Sequence, residues 1–277
     1  MSDRRLTPAN GRVAATHLRG QINADTFVNG DPANIGQVVV DLCASLGGKR
    51  DRQLLLGAAV TVYERRDGWA FIQAKRDGYV GYVREAALVA PSMPTHRVAT
   101  PATHAYASES FKAQDLLHLP FGAEVAVTDE RHKFFETPQG FIPKKHLRPL
   151  GQVFQDPATV AQLFFGVPYL WGGNSTLGVD CSGLVQAAHH ACGYACQGDS
   201  DMQRDGLGDL LPDDAILQRG DLIFWNGHVA MMVDGDTMIH ANAHHMAVVY
   251  EGLSQATLRI KAQGDGDILA RRRVLPA

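Results

Sequence analysis

Cys181 stands directly after Asp180 and two residues before Gly183, and Leu184, Val185, Ala187, Ala188, Ala191 and Cys192 follow at helical spacing. The spacing predicts a buried helix with the cysteine in its first turn. A helix start offers unpaired N–H groups and the positive end of the macrodipole, and both favour a thiolate over a thiol. The expectation is a nucleophilic cysteine of lowered pKa. Asp180 suits the N-cap, and Gly172 and Gly173 allow a turn upstream where a Cβ would clash. Downstream, GDLIFWNGHVAMMVDGDTMIHANA (220–243) predicts a strand and then a hairpin turning around Asp234, Gly235 and Asp236. His228 opens one arm and His240 closes the other. Side chains alternate along a strand, so the two rings share a face only if the loop holds an odd number of residues. A three-residue loop with a bulge at Gly235 meets that condition. His228 then acts as general base, and His240 orients it.

In chain order, the Tyr169-Leu170-Trp171-Gly172-Gly173 run, the Asp180-Cys181-Ser182-Gly183 run, the GDLIFW strand, Gly227-His228-Val229 and His240 resemble the NlpC/P60 family of papain-like cell-wall peptidases. The likeness covers about residues 155–275. It implies Cys181 as nucleophile, charged His228 as its resting partner and base, and His240 as the orienting residue. It also implies Tyr169 in the cleft near the oxyanion, and a cysteine-bearing helix packed on a small antiparallel sheet that carries the histidines. The segment GDSDMQ (198–203) reads by itself as a solvated polar loop. By the likeness, Asp199 and Ser200 face the cleft and bond the peptide's main chain or amino terminus. Gly198 stands where many relatives have an arginine, so that contact is missing here. Ser182, next to the nucleophile, and Trp171, next to Tyr169, are further candidates for substrate contact. Asp221 reads as a turn residue. His189, His190, His244 and His245 read as structural or exposed.

Ahead of this stretch the chain repeats. Leu56-Gly57-Ala58-Ala59-Val60-Thr61-Val62 matches Phe121-Gly122-Ala123-Glu124-Val125-Ala126-Val127 at an offset of 65, and Trp69 falls opposite Phe134. Gly81-Tyr82-Val83 then matches Gly140-Phe141-Ile142, and Leu88 matches Leu147, at an offset of 59. Short alternating strands with turns at Asp67-Gly68 and Asp77-Gly78 predict two copies of a small β-barrel. The pattern resembles bacterial SH3-like (SH3b) domains. The reading is thus multidomain: an irregular arm over 1–35, SH3b domains over 36–90 and 96–150, and an α+β papain-like NlpC/P60 domain over 155–277. Pro91, Pro94, Pro149 and Pro157 mark the seams. Trp69, Phe71, Phe134 and Phe141 read as core, whereas Tyr82 or Tyr79 is a candidate wall of the active-site cleft. Relatives with two SH3b domains use an acidic residue of the first barrel to meet the substrate's free amine. Asp51, in the loop before Gln53, is the candidate.

A net charge of −3 leaves no footprint for nucleic acid, and no apolar run suits a membrane span or an export signal, so the expected location is cytoplasmic. The four cysteines, Cys43, Cys181, Cys192 and Cys196, read as free thiols. No metal or organic cofactor is expected. Neither Cys192 with Cys196 nor Cys181 with His228 and His240 makes up a zinc motif. The family resemblance implies murein stem peptides as partners and hydrolysis of the γ-D-glutamyl bond to meso-diaminopimelate or L-lysine, with an unblocked L-alanine at the peptide's N-terminus. Two rival readings are a papain-like amidase or acyltransferase on another amide, and a cell-wall binding protein without activity. The sequence gives no oligomeric state.

Overall fold

The computed structural model describes residues 3–274, in two compact units, 3–150 and 151–274. Residues 1, 2 and 275–277, the extreme ends of the arm and of the C-terminal domain, lie outside the described residues.

The first unit is almost all strand. A seven-stranded antiparallel sheet runs, in spatial order, Arg50–Leu55, Val39–Cys43, Val80–Arg84, Trp69–Ala74, Ala59–Arg66, Asp31–Ile35 and Leu88–Val89. Phe71, Val80 and Tyr82 form a buried cluster on it. The arm expected to be irregular is instead part of this body. Asp31–Ile35 is an interior strand next to the sheet edge, Val13–Ala15 pairs in parallel with Thr26–Val28, and Val80 N donates to Arg5 O at 2.8 Å. Arg12 holds Glu64 with two hydrogen bonds of 2.8 and 2.7 Å. Alternation is a poor guide in residues 1–35, because short strands there are fixed by partners from elsewhere in the chain.

Strands over residues 96–149 form a three-stranded and a five-stranded sheet around Val98, Ala105, Leu119, Ala123, Val125, Ile142 and Leu147, with Leu56 from the preceding body in the same core. The structural landmarks repeat with the sequence. Gly57 and Gly122 both have φ of +84°, which glycine tolerates without a Cβ penalty. The single 3₁₀ turns at Glu85–Ala87 and Lys144–His146 each lead into a closing strand.

The second unit sets helices on a six-stranded antiparallel sheet, in the order Asp209–Leu210, Ala270–Arg273, Leu222–Trp225, His228–Met232, Thr237–Asn242 and Ala247–Gly252. The predicted helix runs Cys181–Ala191, burying Leu184, Val185, Ala188 and Ala191. On one sheet face Ile223, Trp225, Ala230, Met232 and Met238 pack against Ala256 and Ile260 of the helix Leu253–Gln263, which ends at Gly264 in the left-handed conformation. Asp221 is more than a turn residue. Fully buried, it accepts from Gln218 N at 2.9 Å and pairs with Arg273 at 2.7 Å, tying the last strand to the sheet.

Candidate active site

Asp180 caps the nucleophile helix and also organises what precedes it. One carboxylate oxygen accepts from Gly183 N at 2.7 Å and Ser182 Oγ at 3.0 Å, and the other accepts from Gly172 N at 2.9 Å. Gly172 has φ of +69°, and a Cβ on Gly173 would fall 2.5 Å from the Gly178 carbonyl, so both glycines are required. The Tyr169 segment is stitched on both sides, with Tyr169 N donating to Met246 O and Leu170 N to Val179 O.

The hairpin places the histidines together. Met231 lies opposite Ile239 and Met232 opposite Met238, a register centred on Gly235, with Asp234, Gly235 and Asp236 as the three-residue loop. Gly235 is not in the left-handed region, so the expected bulge is absent. The Asp234 carboxylate makes the turn instead, accepting from Asp236 N at 2.9 Å and Thr237 N at 2.7 Å. With an odd loop the rings share a face, and His228 Nε2 lies 2.9 Å from His240 Nδ1. His228 keeps its Nδ1 side for another partner. The Cys181 sulfur meets this strand on both sides of His228: Sγ donates to Gly227 O at 3.9 Å and takes a hydrogen bond from Val229 N.

The electrostatics reverse one expectation. Cys181 is 7% exposed, and burial, reinforced by the neighbouring Asp180 carboxylate, pushes its thiol up to about 12. Hydrogen bonds from Val229, Ser182 and Cys181 N–H pull the other way and lose. Burial, helped by His240, pushes His228 down to about 3. Both shifts run toward the neutral forms, thiol and imidazole. Burial also raises the Tyr169 hydroxyl, with the Cys181 and Asp180 charges adding to the effect, which puts that phenol in the electrostatic reach of the nucleophile.

Other candidates divide. Trp171 is 70% exposed beside Tyr169, where a ligand can reach it. Ser182 is buried with its hydroxyl engaged by Asp180, so it builds the cap and does not present itself to a ligand. Residues 200–206 form a short helix and not the expected polar loop. Asp199 at its start and Ser200 are both half-buried, and Gln203 in its middle is fully buried and donates to Ser182 O at 2.9 Å. Tyr82 and Tyr79 are buried in the first unit, with the Tyr82 ring 5.0 Å from Phe71. Asp51 is on a strand and not in a loop. It is the extra residue of a bulge, since Leu42 pairs with Arg52 and Cys43 with Arg50, and its carboxylate is bonded to Arg4 at 2.9 Å. Trp225 is buried with its ring 5.8 Å from His228.

His244 and His245 are exposed, while His189 is buried, bonded through Nδ1 to Val185 O at 2.8 Å. All four cysteines are free, and among the described residues no three of His, Cys, Asp and Glu converge as metal ligands would.

Sequence reasoning missed what lies behind His240. Its Nε2 is 3.1 Å from Glu251 Oε2 and 3.0 Å from Asn242 Nδ2, and Arg259 grips Glu251 at 3.0 and 2.7 Å. Residue alternation on the strand over 247–252 puts Glu251 on the histidine face, which is the one signal that pointed to it.

Residues 166–262 match the NlpC/P60 family, and residues 43–88 match the bacterial dipeptidyl-peptidase SH3 domain. The chain is 27% identical over 217 residues to a gamma-D-glutamyl-L-lysine dipeptidyl-peptidase of Bacillus subtilis, covering 68% of this chain and 71% of that one. It is 37% identical over 81 residues to dipeptidyl-peptidase 6 of Lysinibacillus sphaericus, 28% of this chain and 29% of that protein. In fold it is similar to the crystal structure of an NlpC/P60 family protein from Bacillus cereus, with a TM-score of 0.74 and 21% identity, covering 89% of this chain and all of that one. The capped cysteine helix and the histidine hairpin thus lie in an NlpC/P60 domain, preceded in the chain by a bacterial dipeptidyl-peptidase SH3 domain.

Proposed function

We propose that the protein is a cysteine peptidase that hydrolyses the γ-D-glutamyl–diamino acid bond of peptidoglycan stem peptides bearing a free N-terminal L-alanine, releasing L-Ala-γ-D-Glu. The observation that carries this is the paired imidazoles of His228 and His240, 2.9 Å apart, with the Cys181 sulfur against the strand positions on either side of His228. The names of the gamma-D-glutamyl-L-lysine dipeptidyl-peptidases among the relatives supply the bond class.

In this reading the peptide carbonyl approaches a neutral thiol. The S–C bond forms as the thiol proton passes to His228 Nδ1, so charge appears only as the tetrahedral intermediate forms. The oxyanion is held by the Cys181 backbone N–H, with Tyr169 beside it. His228 then gives its proton to the leaving amine, and water releases the dipeptide from Cys181. Trp171, Asp199 and Ser200 contact the peptide, and Asp51 is the candidate for its amine. The strands over 96–149 are taken as a second copy of the SH3-like barrel, a reading supported by the shared conformation of Gly57 and Gly122 and by the repeated 3₁₀ turns. A free-amine requirement suits peptides already cut from glycan, as in cytoplasmic recycling of murein peptides. No helix among the described residues is long and apolar enough to cross a membrane.

The test is product analysis on free and glycan-linked stem tripeptide. We expect L-Ala-γ-D-Glu from the free peptide only, and none with Cys181→Ala. Equal cleavage of both substrates removes the amine requirement. Absence of the dipeptide with wild-type protein, while another amide is cleaved, removes the bond assignment.

A further inference from the structure

Three side chains on adjacent strands run diagonally across one sheet face. Continuing the register of Met231 opposite Ile239 brings His228 level with residue 242, and its ring meets His240 one face position away. His240 lies opposite Val249 and meets Glu251 one face position away. We infer that Glu251 is a positioning residue that fixes which nitrogens of His240 and His228 carry protons, and so leaves His228 Nδ1 free as the base. This rests on the Cys181–His228 reading above.

Arg259 holds both carboxylate oxygens of Glu251, whose side chain is only 12% exposed. The hydrogen bond from His240 holds the Glu251 carboxyl far below its usual range, with Arg259 adding to it, so the group is an anion. An anion 3.1 Å from His240 Nε2 requires a proton on that nitrogen. Neutral imidazole has one N–H, so His240 Nδ1 is a lone pair. That lone pair faces His228 Nε2 at 2.9 Å, which must then be the donor. His228 is left with a bare Nδ1, the nitrogen that can take the thiol proton.

Asn242 sharpens the case. Its Nδ2 lies 3.0 Å from the same His240 Nε2, while its Oδ1 is held by His245 N at 2.8 Å. Without Glu251 the amide is the remaining partner and donates to Nε2. The chain of protons then reverses: His240 Nδ1–H donates to His228 Nε2, and His228 Nδ1 carries the proton it should receive. Glu251 and Asn242 therefore ask for opposite tautomers, and the charged acceptor prevails over the neutral donor.

The experiment is ¹H–¹⁵N correlation spectroscopy of the full chain with labelled histidine, alongside steady-state kinetics. In the wild type we expect Nε2–H tautomers at both His228 and His240, and with Glu251→Ala we expect both to become Nδ1–H. With the base blocked, kcat falls at least about tenfold and KM stays within about twofold, a mild case of the wrong-tautomer loss known from triads. Arg259→Gln breaks the same ion pair and lowers stability similarly but leaves both rings as Nε2–H. A wild-type spectrum with Nδ1–H on His240 overturns the inference without any variant, as does an unchanged spectrum in Glu251→Ala. Reversal in both variants also overturns it, since the ion pair and not the carboxylate would then be responsible. The spectrum reads Glu251 whether or not stem peptide is cut, so a wild type without peptidase activity would sink the proposed function and not this assignment.

Discussion

A thiol at the start of a buried helix is pulled in two directions, and Cys181 shows which pull is stronger. Three backbone N–H groups stabilise its anion, yet loss of water and the Asp180 carboxylate outweigh them. Residue order and motif alone pointed to Cys181, His228 and His240, and the structure sets the two imidazoles 2.9 Å apart with the Cys181 sulfur 3.9 Å from Gly227 O. The sign of the shift was not legible, because burial belongs to the tertiary structure. The same holds for Tyr82 and Ser182, whose sequence surroundings look functional and whose side chains are packed away. The consequence is measurable. With the thiol pushed up to about 12, the thiolate fraction grows tenfold per pH unit below that value. Iodoacetamide labelling of Cys181 in peptide-free protein should therefore rise about tenfold per unit between roughly pH 6 and 9. A rate that is flat across that range would mean a resting ion pair and would refute the neutral site.

The elements were readable where their signals are local. The N-cap aspartate, the upstream glycine pair and the odd hairpin loop follow from nearest-neighbour chemistry, and each is present. Glu251 and Arg259 were invisible, since their link to His240 depends on diagonal register and on a helix that starts directly after its strand without a turn signal. Asp180 offers the test at this scale. Its carboxylate holds Gly183, Ser182 and Gly172 at once, so Asp180→Ala removes a cap worth about 1–2 kcal/mol and also frees the turn carrying Tyr169. We expect a lowered urea midpoint together with a fall in kcat. A stability loss with unchanged turnover would show that the cap does not position the nucleophile.

At the scale of the molecule, the repeat in residues 36–150 was legible as motifs recurring at offsets of 65 and 59, and one of its glycine pairs, Gly57 and Gly122, shares a φ of +84°. The docking of residues 3–35 was not, since it is made by distant partners such as Glu64 and Val80. The C-terminal unit carries its own acid sensitivity. Burial pushes His189 down to about 4 and His228 down to about 3. A depressed histidine contributes stability that is complete above its unfolded value near 6.5 and is lost as pH falls toward the folded value. For His189 that is on the order of 3 kcal/mol. Chemical denaturation between pH 7 and pH 4.5 should show a steep loss of stability, flatter in His189→Gln. Parallel curves for the two proteins would contradict the assignment.

The turn at Asp234, Gly235 and Asp236 has a consequence for how such a chain can change over time. Its parity decides on which side of the ribbon residue 240 emerges. One inserted residue would send that imidazole to the opposite surface while leaving every backbone ladder intact, so the product would be a folded, soluble and inert protein. Lengthening by two would restore it. Viable variants of this turn should therefore differ from it in even steps.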